Sequence, residues 1–144
     1  MMIVLRVGFI GLILVFMSVT AIGGDAKRLD GAWVPSSAEL GANPFPEDIL
    51  KSMKLVIAGD KYTVTVGKAV DQGTLKFDAA AKPKTMDIIG VEGPNKGKTF
   101  LAIYEIKDDT LRICYDLTGK ARPGDFKTKK GELLFLATYQ RGKP

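Results

Sequence analysis

Gly31-Ala32-Trp33 begins the first of about eight strand-like runs, and a single basic residue, Arg141, ends the last of them. Between these ends, apolar and polar residues mostly alternate, as in Tyr62-Thr63-Val64-Thr65-Val66, and glycine, asparagine and aspartate separate the runs. A period of two is typical of strands, because successive side chains point to opposite faces of a sheet. The sequence therefore predicts an all-β domain, a single antiparallel up-and-down β-barrel.

The predicted strands cover residues 29–37, 54–58, 62–66, 73–77, 85–91, 99–106, 110–115 and 133–141. A short helix is predicted after the first strand, at residues 47–52, since Pro46 suits a first helical turn. One long loop, residues 117–132, interrupts the series. It is interpreted either as a flexible connector or as a lid in which Arg122 and Phe126 fold back over the interior.

The first 24 residues are typical of a secretory signal peptide, which leaves the barrel domain at residues 25–144. Arg6 precedes an uncharged apolar stretch, residues 7–19, and small residues follow it. Because this stretch is shorter than the ~20 apolar residues of a membrane-spanning helix, we expect cleavage near residues 21–24. The sequence thus predicts a soluble protein exported to the periplasm or the cell exterior, held at a membrane only if the leader stays uncleaved.

Composition argues against several classes of function. Loss of the leader lowers Lys plus Arg from 21 to 20 against 16 Asp plus Glu, so the net charge becomes +4 instead of +5. The lysines lie mainly in predicted turns, and we expect no nucleic-acid partner. The chain has no histidine, and Cys114 is the one cysteine, inside a predicted strand. We expect a monomer that is not an enzyme, with no catalytic residue, no metal and no cofactor.

Residues 93–99, Gly-Pro-Asn-Lys-Gly-Lys-Thr, look like a phosphate-binding loop at first sight. The segment has one residue too few between its glycines, and it continues into a predicted strand, whereas a phosphate-binding loop opens a helix. It is therefore predicted as a turn between antiparallel strands.

Two of these segments carry a resemblance to a known fold family. Gly31-Ala32-Trp33 matches the Gly-x-Trp signature of lipocalins, and Tyr139-Gln140-Arg141 is similar to the strand whose arginine covers that tryptophan. The chain more specifically resembles an uncharacterised lipocalin-like domain family of planctomycete-type bacteria, over essentially the whole region after the leader. The matching segments are residues 29–33, 82–84, 93–99, 103–105 and 122–126. The resemblance implies a lipocalin-like barrel and export, and it implies no established activity.

Gly31, Trp33 and Arg141 are interpreted as structural residues rather than as ligand contacts. A tryptophan at the closed end of a barrel fills it with a large apolar surface. An arginine stacked across the indole gains ~0.5–2 kcal/mol as a cation–π contact.

Inward-facing side chains are the candidate ligand-binding residues: Tyr62, Val64, Phe77, Phe100, Tyr104, Tyr115, Phe135 and Tyr139. The tyrosines are the expected polar contacts, because a buried phenol needs a hydrogen-bond partner. The same side chains would also suffice for a filled, dry core. Two functions therefore stay open: a secreted carrier of a small hydrophobic molecule, and a packed structural or protein-interaction module that presents its long loop to an envelope protein.

Overall fold

The computed structural model of the protein describes residues 23–143. Residues 1–22, which hold most of the predicted leader, lie outside the described residues, and no helix within 23–143 is long and apolar enough to cross a membrane. The described part contains two helices, α1 (Gly23–Leu29) and α2 (Glu47–Lys51). Its strands are β1 (Gly31–Leu40), β2 (Asn43–Pro44), β3 (Met53–Ala58), β4 (Lys61–Val66), β5 (Ala69–Asp78), β6 (Lys84–Glu92), β7 (Thr99–Lys107), β8 (Thr110–Asp116) and β9 (Leu134–Arg141).

Eight of these strands form one closed antiparallel barrel. Strands β3 to β9 pair in chain order, and β1 closes the sheet by pairing with both β3 and β9. The short strand β2 pairs with the far end of β1. The predicted all-β, up-and-down, lipocalin-like barrel with a short helix after its first strand is confirmed.

Strand β1 pairs with a different strand on each of its edges, and its pairing contains one irregularity. Its residues 31–33 pair with β3 and its residues 33–40 pair with β9, with a register shift between Pro35 and Ser37. An irregularity of this kind increases the local twist of a strand. Proline has no N–H to donate to the ladder, so it is tolerated in a strand at an irregularity such as this one. Because β1 pairs with both the first and the last strand of the series β3 to β9, the sheet closes into a barrel.

The first strand begins two residues later than predicted. Leu29, expected at its start, instead ends helix α1, and the strand begins at Gly31. The reason is local: the indole Nε1–H of Trp33 donates a hydrogen bond to the carbonyl of Leu29 at 2.8 Å, and Leu29 itself is fully buried. The helix therefore folds back across one end of the barrel, and we call this the closed end.

The closed end is sealed by Trp33 and Arg141. Trp33 is fully buried, and the guanidinium carbon of Arg141 lies 4.3 Å from the centroid of its ring. Arg141 also donates hydrogen bonds to the carbonyls of Arg28 at 2.6 Å and Asp30 at 2.9 Å. Gly31 has a φ of +121°, and a Cβ there would lie 3.3 Å from Nη1 of Arg141. Glycine is thus suited to this position, and the last strand is joined to the segment that precedes the first.

The connection between β8 and β9, residues 117–133, runs along the outer wall of the barrel, and we call it the strap. Arg122 in the strap donates from Nη1 to the carbonyl of Ala102 at 2.7 Å and from Nη2 to Oδ1 of Asp87 at 2.6 Å. Phe126 packs under the guanidinium of Arg112, with 4.3 Å between the guanidinium carbon and the ring centroid. Asp87 and Arg112 belong to strands β6 and β8, so the strap crosses several neighbouring strands.

This arrangement differs from the lid that the sequence suggested for Arg122 and Phe126. Neither side chain lines the interior, and both are held against the outside of the sheet. Under the strap, the outward-facing side chains of Ile103 and Cys114 stand side by side and are almost completely buried, at 1% and 0% exposed. The strap therefore covers an apolar patch on the outer wall, which would otherwise face solvent.

Candidate ligand cavity

The barrel interior holds a cavity of about 350 Å³ at the end opposite Trp33. This volume falls within the range of ~300–1,000 Å³ that is usual for ligand pockets. An eight-stranded barrel has room either for side chains alone or for one small ligand as well. Here the side chains leave part of the interior empty, so the fully packed core that the sequence also allowed is not what the structure shows.

Most of the sequence-predicted interior residues meet at this cavity. Those that line it are Tyr62, Val64, Phe100, Tyr115, Phe135 and Tyr139. The remaining two candidates, Phe77 and Tyr104, do not line it. They pack against each other, with ring centroids 5.9 Å apart, and they lie nearer the closed end.

Tyr104 is occupied by contacts with helix α1. Its hydroxyl donates to Oδ2 of Asp25 at 3.0 Å, and Nζ of Lys84 donates to the same oxygen at 2.6 Å. Burial raises the pKa of Tyr104, and the hydrogen bond to Asp25 raises it further. Burial alone would also raise the pKa of Asp25, but the hydrogen bonds from Lys84 and Tyr104 outweigh it and hold that pKa below its usual value. Tyr104 therefore anchors the helix and is not available to a ligand.

A continuous row of aromatic rings forms one wall of the cavity. The ring centroids of Phe100 and Tyr115 are 5.4 Å apart, those of Tyr115 and Phe135 are 5.2 Å apart, and those of Phe135 and Phe45 are 5.6 Å apart. Separations of this size are favourable for aromatic pairs. Phe45 was not among the predicted interior residues, because it lies between two prolines outside every predicted strand. Its backbone N–H donates to the carbonyl of Ala38 at 2.9 Å, which holds the segment over the cavity.

A buried carboxylate, Asp71, is the main polar feature of the cavity and was missed by the sequence analysis. It is 9% exposed and lines the cavity from strand β5. Its carboxylate accepts three hydrogen bonds, each at 3.1 Å, from the hydroxyl of Tyr62 and from the backbone N–H and Nδ2 of Asn95. A signal for it did exist: Asp71 has the same parity in its strand as Phe77, which was predicted to face inward.

Asn95 reaches Asp71 because the connection between β6 and β7 folds back as a tight turn. Gly93 in this turn has a φ of +95°, and a Cβ there would lie 2.4 Å from the carbonyl oxygen of Val70. Only glycine allows the turn to lie this close to strand β5. The segment that looks like a phosphate-binding loop is therefore a turn, as predicted, and it places Asn95 at the cavity.

Two further tyrosines belong to the wall of the cavity. Tyr115 and Tyr139 line it, and among the described residues neither hydroxyl has a hydrogen-bond partner. Tyr139 is only 6% exposed. Within residues 23–143, every fully buried side-chain oxygen or nitrogen has a hydrogen-bond partner. The hydroxyl of Tyr139 has none among these residues, so this oxygen is not fully buried and has free space beside it. Burial raises the pKa of Tyr139 to about 12. Burial also raises the pKa of Tyr115, with smaller effects from Tyr139, Tyr62 and Asp71.

These tyrosines stay protonated at neutral pH, so each can donate one hydrogen bond and accept another. All three tyrosines line the same cavity as Asp71 and Asn95. We call Tyr62, Asp71, Asn95, Tyr115 and Tyr139 the polar cluster. Within residues 23–143 no group of three or more Cys, Asp or Glu side chains is arranged to hold a metal ion.

The mouth of the cavity is marked by residues that line it and are also exposed. Val66, at the end of β4, is 40% exposed, and Leu117, at the start of the strap, is 37% exposed. A molecule entering the cavity would pass between such side chains. The opening is therefore apolar at its edge.

No protein-family model, curated protein or solved structure significantly matches this chain. The resemblance to a lipocalin-like bacterial family therefore stays a prediction, and the functional argument depends on the barrel and its cavity.

Proposed function

We propose that this protein is a secreted, non-enzymatic, lipocalin-like binding protein that holds a small, largely apolar molecule inside its barrel. The observation that supports this most strongly is the cavity of about 350 Å³, which has an aromatic wall and an opening to solvent. Transfer of an apolar molecule from water into such a site is favoured by roughly 25 cal/mol for each Å² of apolar surface that is buried.

The volume indicates the size of the molecule. An apolar cavity of about 150 Å³ is known to hold one benzene ring. The cavity in this barrel, at about 350 Å³, has roughly twice that volume. We therefore expect a ligand with one or two rings, or a short chain of similar volume.

Export is part of the proposal and is supported by the sequence of the leader, Arg6 followed by the apolar residues 7–19. N-terminal sequencing of protein recovered from cell fractions tests it. We expect a mature chain that begins near residues 22–25 in an exported fraction. An intact leader on cytoplasmic protein would contradict this part of the proposal.

The alternative function, a module that presents its long loop to an envelope protein, has less support. The strap already packs against its own barrel through Arg122 and Phe126, and it covers Ile103 and Cys114. Side chains that are used in this way are not free to bind a partner.

A fluorescence titration with N-phenyl-1-naphthylamine, a neutral apolar dye, tests the proposed binding. We expect saturable binding of one dye per protein. The variant Val64→Phe should weaken it by about tenfold or more, because Val64 lines the cavity and the larger ring fills it.

The control is Val70→Phe, the same chemical change on the neighbouring strand at a side chain that is 45% exposed and does not line the cavity. Its dye binding should equal that of the unmodified protein. Absence of saturable binding, or equal weakening by both substitutions, would refute a ligand site inside the barrel.

A further inference from the structure

Asp71 has no cationic partner among the described residues, although it is 9% exposed. The acidic residues that form ion pairs within residues 23–143 are Asp25, Asp87, Glu105 and Asp109. The three hydrogen bonds to Asp71 come from neutral groups, a phenol and an amide. A buried charge without a counterion is costly, and proteins normally pair such a charge.

The carboxylate still has capacity for a further donor. A carboxylate can accept about four hydrogen bonds, whereas Asp71 accepts three. Its Oδ1 accepts one of them, from the backbone N–H of Asn95, and its Oδ2 accepts the other two. A fourth donor can reach it only from the cavity or from solvent, because the protein supplies no other within the described residues.

Two phenols that have no partner among residues 23–143 belong to residues that line the same cavity. An ammonium group has three N–H donors, and a phenol oxygen can accept one of them. The hydroxyls of Tyr115 and Tyr139 line the cavity with Asp71 and have no partner among residues 23–143. An ammonium group beside Asp71 would supply the further donor that the carboxylate can accept, inside the cavity that Tyr115 and Tyr139 also line. The aromatic wall adds a favourable cation–π surface beside it.

The cavity disfavours the opposite charge. Among the described residues that line it there is no lysine or arginine, and Asp71 is the one that carries a charge. A carboxylate or phosphate ligand would have to bury its charge near Asp71 with no cation to compensate. Fatty acids are therefore poor candidates for this site.

We propose that the ligand is an apolar amine, bound as its ammonium form with the charged group on Asp71 and its hydrocarbon part against the aromatic wall. This inference rests on the proposed function, because it specifies what the same cavity binds.

Four probes that share a naphthalene ring test the inference: 1-naphthylmethylamine, 1-naphthalenemethanol, 1-methylnaphthalene and 1-naphthoic acid. Each is titrated at pH 7 in competition with the neutral dye. The amine should bind about 10- to 100-fold more tightly than the alcohol and the hydrocarbon, since a hydrogen bond to a charged group is worth more than a neutral one. The naphthoic acid should bind most weakly.

The variant Asp71→Asn keeps the size of the side chain and removes its charge. It should abolish the advantage of the amine and leave binding of 1-methylnaphthalene unchanged. The control Asp60→Asn makes the same change of net charge at an exposed residue in the turn between β3 and β4. It should change neither the advantage of the amine nor the binding of 1-methylnaphthalene.

A measurement on the unmodified protein decides the matter if Asp71→Asn fails to fold. The advantage of the amine should disappear as the pH passes the amine's own pKa, whereas hydrocarbon binding should stay constant. Equal affinities for amine and alcohol, or an amine preference that survives in Asp71→Asn, would overturn the inference. If 1-methylnaphthalene still binds in that case, the result agrees with the proposed function and contradicts only the amine inference. If neither the dye nor any probe binds, the proposed function fails as well.

Discussion

Tyr104 and Tyr139 both point into the barrel from strands of the same sheet, and both are buried, yet only the first has a partner for its hydroxyl. At the closed end, helix α1 brings Asp25 to Tyr104, and Lys84 completes the group. Tyr139 has no such partner among the described residues, and it lines the cavity instead. Whether a buried tyrosine is structural or available to a ligand is thus decided by what the rest of the chain places beside it.

The two ends also differ in how their apolar residues are packed. Trp33 fills the closed end and is covered by Arg141, so the indole contacts protein on every side. Phe100, Tyr115 and Phe135 pack in tilted pairs along one wall, and each of them lines the cavity. Stability should therefore depend on the closed end, and binding should depend on the open end.

The largest expected effect is that of Trp33→Ala. Deletion of a fully buried tryptophan costs about 3–5 kcal/mol, because apolar surface is lost and a cavity replaces it. Urea unfolding followed by circular dichroism measures the change. A loss below about 1 kcal/mol would show that the closed end does not carry the stability of the barrel.

A matched pair of substitutions compares the two tyrosines directly. Tyr104→Phe removes a hydrogen bond to a charged group and should lower the free energy of unfolding by about 1–3 kcal/mol. Tyr139→Phe removes a hydroxyl that has no partner among the described residues, and it should change the free energy by less than about 0.5 kcal/mol. Equal losses in the two variants would break the distinction between the two tyrosines.

Alkaline pH should destabilise the folded protein, because its buried tyrosines must lose their protons. The pKa values of Tyr62, Tyr104, Tyr115 and Tyr139 are all raised in the folded protein, so folding favours the protonated phenols. Their contribution to stability is complete below the ordinary tyrosine pKa of about 10 and is lost as the pH rises above it.

Each such tyrosine should contribute at most about 1.4 kcal/mol per pH unit to this loss. Urea unfolding from pH 8 to pH 11 measures the slope. Tyr104→Phe and Tyr139→Phe should each reduce the slope above pH 10 by the share of one tyrosine. A slope that neither substitution changes would show that these phenols titrate alike in the folded and unfolded chains.

The barrel could be predicted from sequence because its determinants are local. Alternation in segments such as residues 62–66 fixes which side chains face inward, and turn residues mark the strand ends. The contact of Trp33 with Arg141 could also be anticipated, since β1 and β9 must meet if the barrel closes. Helix α1 was missed because only the fold of the closed end gives it a surface to pack on.

The contacts of Asp71 and the packing of the strap against the barrel could not be predicted for a different reason. Asp71 depends on Asn95, which reaches it only through the fold of the turn at residues 93–98. Ile103 and Cys114 face outward by parity, and nothing in the alternation shows that a distant segment covers them. Burial raises the pKa of the Cys114 thiol to about 11, and Asp125 in the strap contributes to this shift. Contacts between segments far apart in sequence are not encoded in a local pattern.

A crystal structure determined under xenon pressure tests the central claim most directly, because xenon enters apolar cavities and marks them with strong density. We expect xenon inside the barrel against the rings of Phe100, Tyr115 and Phe135, and none beside Trp33. Absence of xenon from the interior, or its presence beside Trp33, would contradict an account in which one end is packed and the other holds a ligand.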